Sequence, residues 1–90
     1  MELYNYMEEV VYRYVDEVLK KFDNEVCKCE KCRLDIIALA LNNLPPRYTV
    51  TEKGKLFTKV KEMESQYGVD IIREITKAIE VVSKKPRHDC

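Results

Sequence analysis

Ninety residues leave room for a single domain, given a prior of ~100–200 residues per domain. Sixteen basic residues balance sixteen acidic ones, so the net charge is zero and bulk charge gives no ground for nucleic-acid or membrane affinity. Two glycines and three prolines exclude collagen-like or low-complexity character, while 46% hydrophobic and 36% charged residues describe a small core under a heavily charged surface.

The zero net charge hides an asymmetry. Residues 1–26 carry seven acids and three bases, and residues 27–90 carry nine acids and thirteen bases. An anion site therefore belongs in the second half, where Arg47, Lys53, Lys55, Lys59 and Lys61 cluster against Glu52 alone. A solvated helix face explains the same charges.

Residues 2–22 predict one helix. Leu3, Tyr4, Met7, Val10, Val11, Tyr14, Val15, Val18 and Phe22 share a broad face, with Tyr6, Tyr12 and Leu19 at its flanks. The apolar arc covers roughly two-thirds of the circumference, so this helix needs partners on two sides. Asp23-Asn24 predicts a break.

Residues 30–43 predict a second helix, apolar nearly all round from Leu34 to Leu41 and therefore central and buried. Asn42-Asn43 is expected to cap its end, and Pro45-Pro46 to stop it. Residues 47–51 read as a short extended segment. A third helix is expected over 55–67, with Leu56, Val60, Met63 and Tyr67 on one face and Gly68 as its C-terminal cap. A fourth is expected over 69–84, with Ile71, Ile72, Ile75, Ala78, Ile79 and Val82 as its stripe and Pro86 as its stop. The expected class is all-α: one domain over residues 1–90, four helices and a short extended segment after the diproline.

No targeting or membrane segment is expected. Glu2, Glu8 and Glu9 occupy the start of the chain, and the longest aliphatic run, residues 36–41, is far short of the ~20 a membrane span needs. A cytoplasmic protein is expected. In that compartment four cysteines read as metal ligands or redox thiols rather than disulfides.

Cys27, Cys29 and Cys32 fall within six residues, between helices one and two, and Cys90 is the last residue. Zinc takes four thiolates in a tetrahedron, and a turn entering a helix presents two or three to one ion. Cys90 would complete a closed structural site, or His88 would replace one thiol. Two other readings stay open: Cys29-x-x-Cys32 as a redox dithiol, and plain free thiols. A closed four-thiolate site has no open position for substrate. Glycine-rich phosphate loops, nucleophile elbows, HExxH and paired carboxylates do not occur, so no enzyme is expected. Asp35, on the apolar second helix, reads as a structural anchor that accepts hydrogen bonds or meets Arg33, Arg47 or Arg87.

Asn5-Tyr6-Met7-Glu8, the Cys27 to Cys32 run with Asp35-Ile36-Ile37-Ala38-Leu39-Ala40-Leu41-Asn42, then Leu44-Pro45-Pro46-Arg47-Tyr48 and the tail Pro86-Arg87-His88-Asp89-Cys90 resemble, in order and over essentially the whole chain, the late-competence protein family ComFB. The resemblance implies a small helical homodimer with one zinc per subunit, held by Cys27, Cys29, Cys32 and Cys90. It also implies a bacterial competence setting and, for some members, a cyclic dinucleotide messenger as ligand.

Two function readings follow. The first is a non-enzymatic regulatory protein, a zinc-stabilised homodimer that binds cyclic di-AMP or cyclic di-GMP. The second is a protein-interaction adaptor of the competence machinery with an unknown protein partner and no small ligand. Direct DNA binding is not expected, since no concentrated basic recognition helix occurs. For a ligand, Arg47 and Tyr48 follow a rigid diproline, and Arg87 and His88 stand beside the terminal cysteine. An arginine fork grips phosphate and a tyrosine face stacks on a base. A homodimer presents each of these residues twice about its axis, matching a ligand with two phosphates and two bases. A surface arginine and a half-buried core tyrosine are the plainer reading of Arg47 and Tyr48.

Overall fold

Asn5 splits what the hydrophobic pattern reads as one long first helix. Its side chain caps α1 (Tyr6–Leu19): Oδ1 accepts a hydrogen bond from the Met7 N–H at 3.1 Å. Glu8 follows three residues later, the spacing of a capping box. The residues before the cap form β1 (Glu2–Asn5), which pairs antiparallel with β2 (Tyr48–Thr51), Leu3 opposite Val50 and Asn5 opposite Tyr48. The expected helix from residue 2 is therefore corrected to a strand and a helix. Apolar spacing continues upstream through Leu3, but Leu3 is 66% exposed and belongs to no buried helix face. The extended segment after the diproline is this second strand. The computed structural model describes residues 1–22 and 26–84, and the Asp23-Asn24 break and the Pro86 stop lie outside them.

α2 (Glu30–Asn42) starts at Cys29, its N-cap, and ends at Asn43, whose side-chain amide donates to the Leu39 carbonyl at 2.9 Å. It is not buried all round. Cys32, Ile36, Ile37 and Ala40 face the core, while Leu34 is 42% exposed and Ala38 is exposed.

The third and fourth expected helices are one, α3 (Lys53–Lys84), so the chain has three helices among its described residues, not four. Gly68 does not take the left-handed conformation a C-terminal cap requires, since no described residue has positive φ. The physical reason is the stripe itself. Leu56, Val60, Met63, Tyr67, Ile71, Ile75 and Ala78 keep their three- and four-residue spacing straight across Gly68. A glycine inside a helix costs about 1 kcal/mol, against about 1.5–3 kcal/mol for each large apolar side chain that a continuous stripe buries. The architecture is thus mostly helical, with a two-stranded ribbon.

α3 packs against both α1 and α2, which also touch each other. Val10, Val11, Val15, Ile36, Ile71, Ile75 and Ile79 are completely buried where the three meet. The wide apolar arc of α1 finds its two partners, α2 and α3, inside the chain. The ribbon lies on this core by the face carrying Tyr4 and Thr51. Its outer face is apolar, with Leu3, Tyr48 and Val50 each between 63% and 66% exposed.

Candidate metal centre

The approach to α2 brings three sulfurs together. The ligand atoms of Cys27, Cys29 and Cys32 all lie within 4.8 Å of one another. The local sequence explains how. Cys29 sits at the N-cap in extended conformation, and its sulfur accepts from the Cys32 N–H at 3.5 Å. Cys32 follows on the first turn, 1% exposed, and Cys27 precedes both, half-buried. Lys28 and Lys31 interleave with the sulfurs. Lys28 Nζ donates to the Phe22 carbonyl at 2.8 Å, tying this approach back to the end of α1. Burial, above all, holds the Cys32 thiol above its ordinary range, and Cys29 and the Asp35 carboxylate push the same way while Lys31 opposes them.

With its cysteines reduced, the donor set fits zinc. Four thiolates at about 2.3 Å in a tetrahedron stand about 3.8 Å from each other, so small side-chain rotations bring three sulfurs already within 4.8 Å to that spacing. Three of the four expected metal ligands are thereby close enough to share one ion. The fourth, Cys90, and the substitute His88 lie outside the described residues, as does Arg87.

An ion pair fixes this turn to the rest of the fold. Arg33, next to Cys32, reaches across to Asp16 on α1 with two hydrogen bonds, Nε to Oδ1 at 2.9 Å and an NH2-to-Oδ2 contact at 3.2 Å. The fork holds the Asp16 carboxyl below its ordinary range, chiefly through that hydrogen bond. Its guanidinium also stands 5.7 Å from the centre of the Tyr12 ring. Asp35 accepts a hydrogen bond as expected, and Arg87, one of its expected partners, lies outside the described residues. Lys31 donates to it at 2.7 Å, one helical turn away.

Arg47 and Tyr48 sit at the start of β2, away from any helix interior. The Asn5 side chain accepts from the Arg47 N–H at 2.9 Å while the Tyr6 N–H donates to the Arg47 carbonyl at 2.7 Å. The Arg47 guanidinium stands 5.4 Å from the centre of the Tyr67 ring on α3. The Tyr48 side chain is largely exposed. A separate open groove of 340 Å³ lies between α2 and α3, lined by Leu39, Asn43, Lys77 and Val81 among others, and neither the three cysteines nor Arg47 or Tyr48 line it.

Sequence reasoning missed two positioning residues. Asn5 caps α1 and clamps Arg47 with one oxygen, and the Asn5-x-x-Glu8 spacing was a usable signal for the first role. Arg33 finds Asp16 seventeen residues upstream, and no local pattern announces that pair.

Comparison with known proteins places this arrangement. The family model described as late competence development protein ComFB matches residues 4–86. Competence protein ComFB of Bacillus subtilis (strain 168) is 30% identical over 64 residues, 71% of this chain, and the match spans 65% of that relative's own length. A solved structure of the late competence protein ComFB from Bacillus subtilis superposes with a TM-score of 0.82 at 27% identity, covering 99% of this chain and 97% of the other. No described helix is long and apolar enough to cross a membrane. The chain belongs to the late competence development protein family ComFB.

Proposed function

We propose that this protein is a non-enzymatic regulatory component of the competence type, working in the cytoplasm as a zinc-stabilised homodimer that binds a cyclic dinucleotide. The observation that carries the structural half is the cluster of three sulfurs within 4.8 Å at the mouth of α2. Cys27, Cys29 and Cys32 would hold the ion, with Cys90 as the fourth ligand. A bound zinc supplies a cross-link, not chemistry, because a ring of four thiolates leaves no position for substrate. Elemental analysis of reduced protein purified without added metal is expected to give about one zinc per chain. Metal-free protein whose melting is unchanged by chelators removes this reading.

The ligand half draws support from the start of β2. Two backbone hydrogen bonds fix Arg47, and the neighbouring Tyr48 ring is open to a stacking base. Such preorganisation lowers the ordering cost of binding. Arg87 and His88 would join from the tail. Calorimetry is expected to show about one nucleotide per dimer for cyclic di-AMP or cyclic di-GMP, with affinity lost in Arg47→Ala while mass and zinc content persist.

One observation favours the adaptor reading instead. The outward face of the ribbon is apolar at Leu3, Tyr48 and Val50, the reverse of the polar outer face usual for an antiparallel pair. A second copy or a different protein would cover it. Light scattering separates the two: a dimer mass that falls to the monomer in Val50→Lys assigns the face to self-pairing, whereas a monomeric wild type without nucleotide heat leaves the adaptor as the better reading.

A further inference from the structure

Cys29 and Cys32 differ in a way that a metal cage does not require. Cys29 is exposed and caps α2. Cys32 is buried on the first turn of the same helix, its own N–H directed at the Cys29 sulfur. Their sulfurs lie within 4.8 Å, and rotation about the side-chain bonds is what separates that spacing from a disulfide of about 2.0 Å. An outer sulfur at a helix cap with an inner sulfur one turn later is the layout of a dithiol that attacks with the first and resolves with the second.

We propose that Cys29 and Cys32 are a redox-active pair that reacts with a low-molecular-weight disulfide of the glutathione class, closing to a disulfide and releasing the metal. The metal-release half rests on the zinc reading above, and the dithiol half stands without it. The Cys29 thiolate attacks one sulfur of the oxidised compound, forms a mixed disulfide and expels one thiolate. The Cys32 thiolate then attacks the Cys29 sulfur, forms the Cys29–Cys32 bond and expels the second thiolate. The two protein sulfurs lose two electrons, which the small disulfide takes up as two thiolates; these gain their protons from solvent, to which the protein thiols gave theirs on ionising or on binding the metal. Two of the thiolates that would hold zinc are consumed, so the ion leaves and the staple at the mouth of α2 opens with the redox state of the surroundings.

The test uses the full chain, reduced and zinc-loaded, with oxidised glutathione as probe. The intact mass is expected to fall by about 2 Da as the bond closes. Peptide mapping should join Cys29 to Cys32, and a chromogenic chelator should report about one zinc released per bond formed. Dithiothreitol should reverse the mass change. Cys32→Ser should stop at a stable glutathione adduct on Cys29, while Cys27→Ser should still close the bond. The same incubation of reduced, chelator-stripped protein keeps the two readings apart. A Cys29–Cys32 bond formed there leaves the pair standing whatever the metal does, and a first incubation that closes the bond but releases no zinc removes the metal reading alone. A map that joins Cys27 to either sulfur, or thiols unchanged in both incubations, overturns the proposal.

Discussion

The middle of α3 and the mouth of α2 are held by opposite kinds of contact. Around Ile71, Ile75 and Ile79 the chain relies on burial: each is completely enclosed by α1 and α2, and the contacts need no particular chemistry beyond shape. At the mouth of α2 the side chains are Cys27, Lys28, Cys29, Glu30 and Lys31, and Cys32 is the one that is fully buried. What holds this turn is polar and specific: the Arg33–Asp16 fork, the Lys28 bond to the Phe22 carbonyl, and three sulfurs drawn together. Burial tolerates drift because it is roughly proportional to area, whereas a cap, a fork and a metal cage all depend on geometry. A region of the second kind is where a cross-link adds most and where a change of conditions acts first.

If the proposed zinc is bound, the largest expected effect comes from removing it. A ligand that binds only the folded chain adds about 4 kcal/mol when its free concentration is a thousandfold above Kd. Stripping zinc from reduced protein should therefore lower Tm by as much as a severe core truncation, and hydrogen exchange should rise first around residues 26–34 while the centre of α3 stays protected. A uniform rise across α3 would erase the difference between the two regions.

Truncation at the other pole should do the reverse. Ile75→Ala removes a fully buried side chain between three helices and should cost about 2–5 kcal/mol. Zinc content should not change, because no cysteine approach depends on that contact. Co-loss of metal and stability in Ile75→Ala would mean that the mouth of α2 is not independent of the core.

Asn5→Ala probes a third arrangement, one oxygen serving two donors. Losing the cap of α1 and the partner of the Arg47 N–H should cost about 1–2 kcal/mol. If Arg47 and Tyr48 form a ligand site, nucleotide affinity should fall in this variant although neither residue is touched. Urea melts and calorimetry on the same sample check both.

How far the sequence was legible follows the same division. Apolar spacing located α1, α2 and α3, because burial writes a period into the chain. It overran at Leu3, since a period says nothing about where a cap stops it, and it was cut at Gly68 although Tyr67 and Ile71 keep the four-residue step across that position. The strand after the diproline was visible, but its partner was not, because pairing Leu3 with Val50 joins segments far apart in sequence. The cysteine cluster was legible from spacing alone: Cys29 and Cys32 are one helical turn apart, and Cys27 is close along the chain. The Arg33–Asp16 fork left no local trace, as two charged residues on separate helices look like any other solvated pair.

That fork should give the smallest effect, and its sign is fixed. The Arg33 hydrogen bond holds the Asp16 carboxyl below its ordinary range in the folded chain, so the fold favours the ionised form. A group whose folded value is depressed contributes stability above its unfolded value, near pH ~3.9 for aspartate, and loses it as pH falls through the folded value. The Asp16 side chain is 57% exposed, so solvent screening limits the contribution to about 0.5 kcal/mol. Wild type should therefore exceed Asp16→Asn by that small margin at neutral pH, and the two should converge in strong acid, where the wild-type carboxyl also is neutral. Added salt should narrow the neutral-pH gap without moving the acid limit. Arg33→Lys keeps the charge and loses the two-pronged grip. If the fork matters for where Cys32 sits, Arg33→Lys should weaken metal retention in a chelator competition more than it lowers Tm. Equal losses in both, or a gap between wild type and Asp16→Asn that does not change with pH, would show that the fork is an ordinary surface pair and that the sulfurs find each other without it.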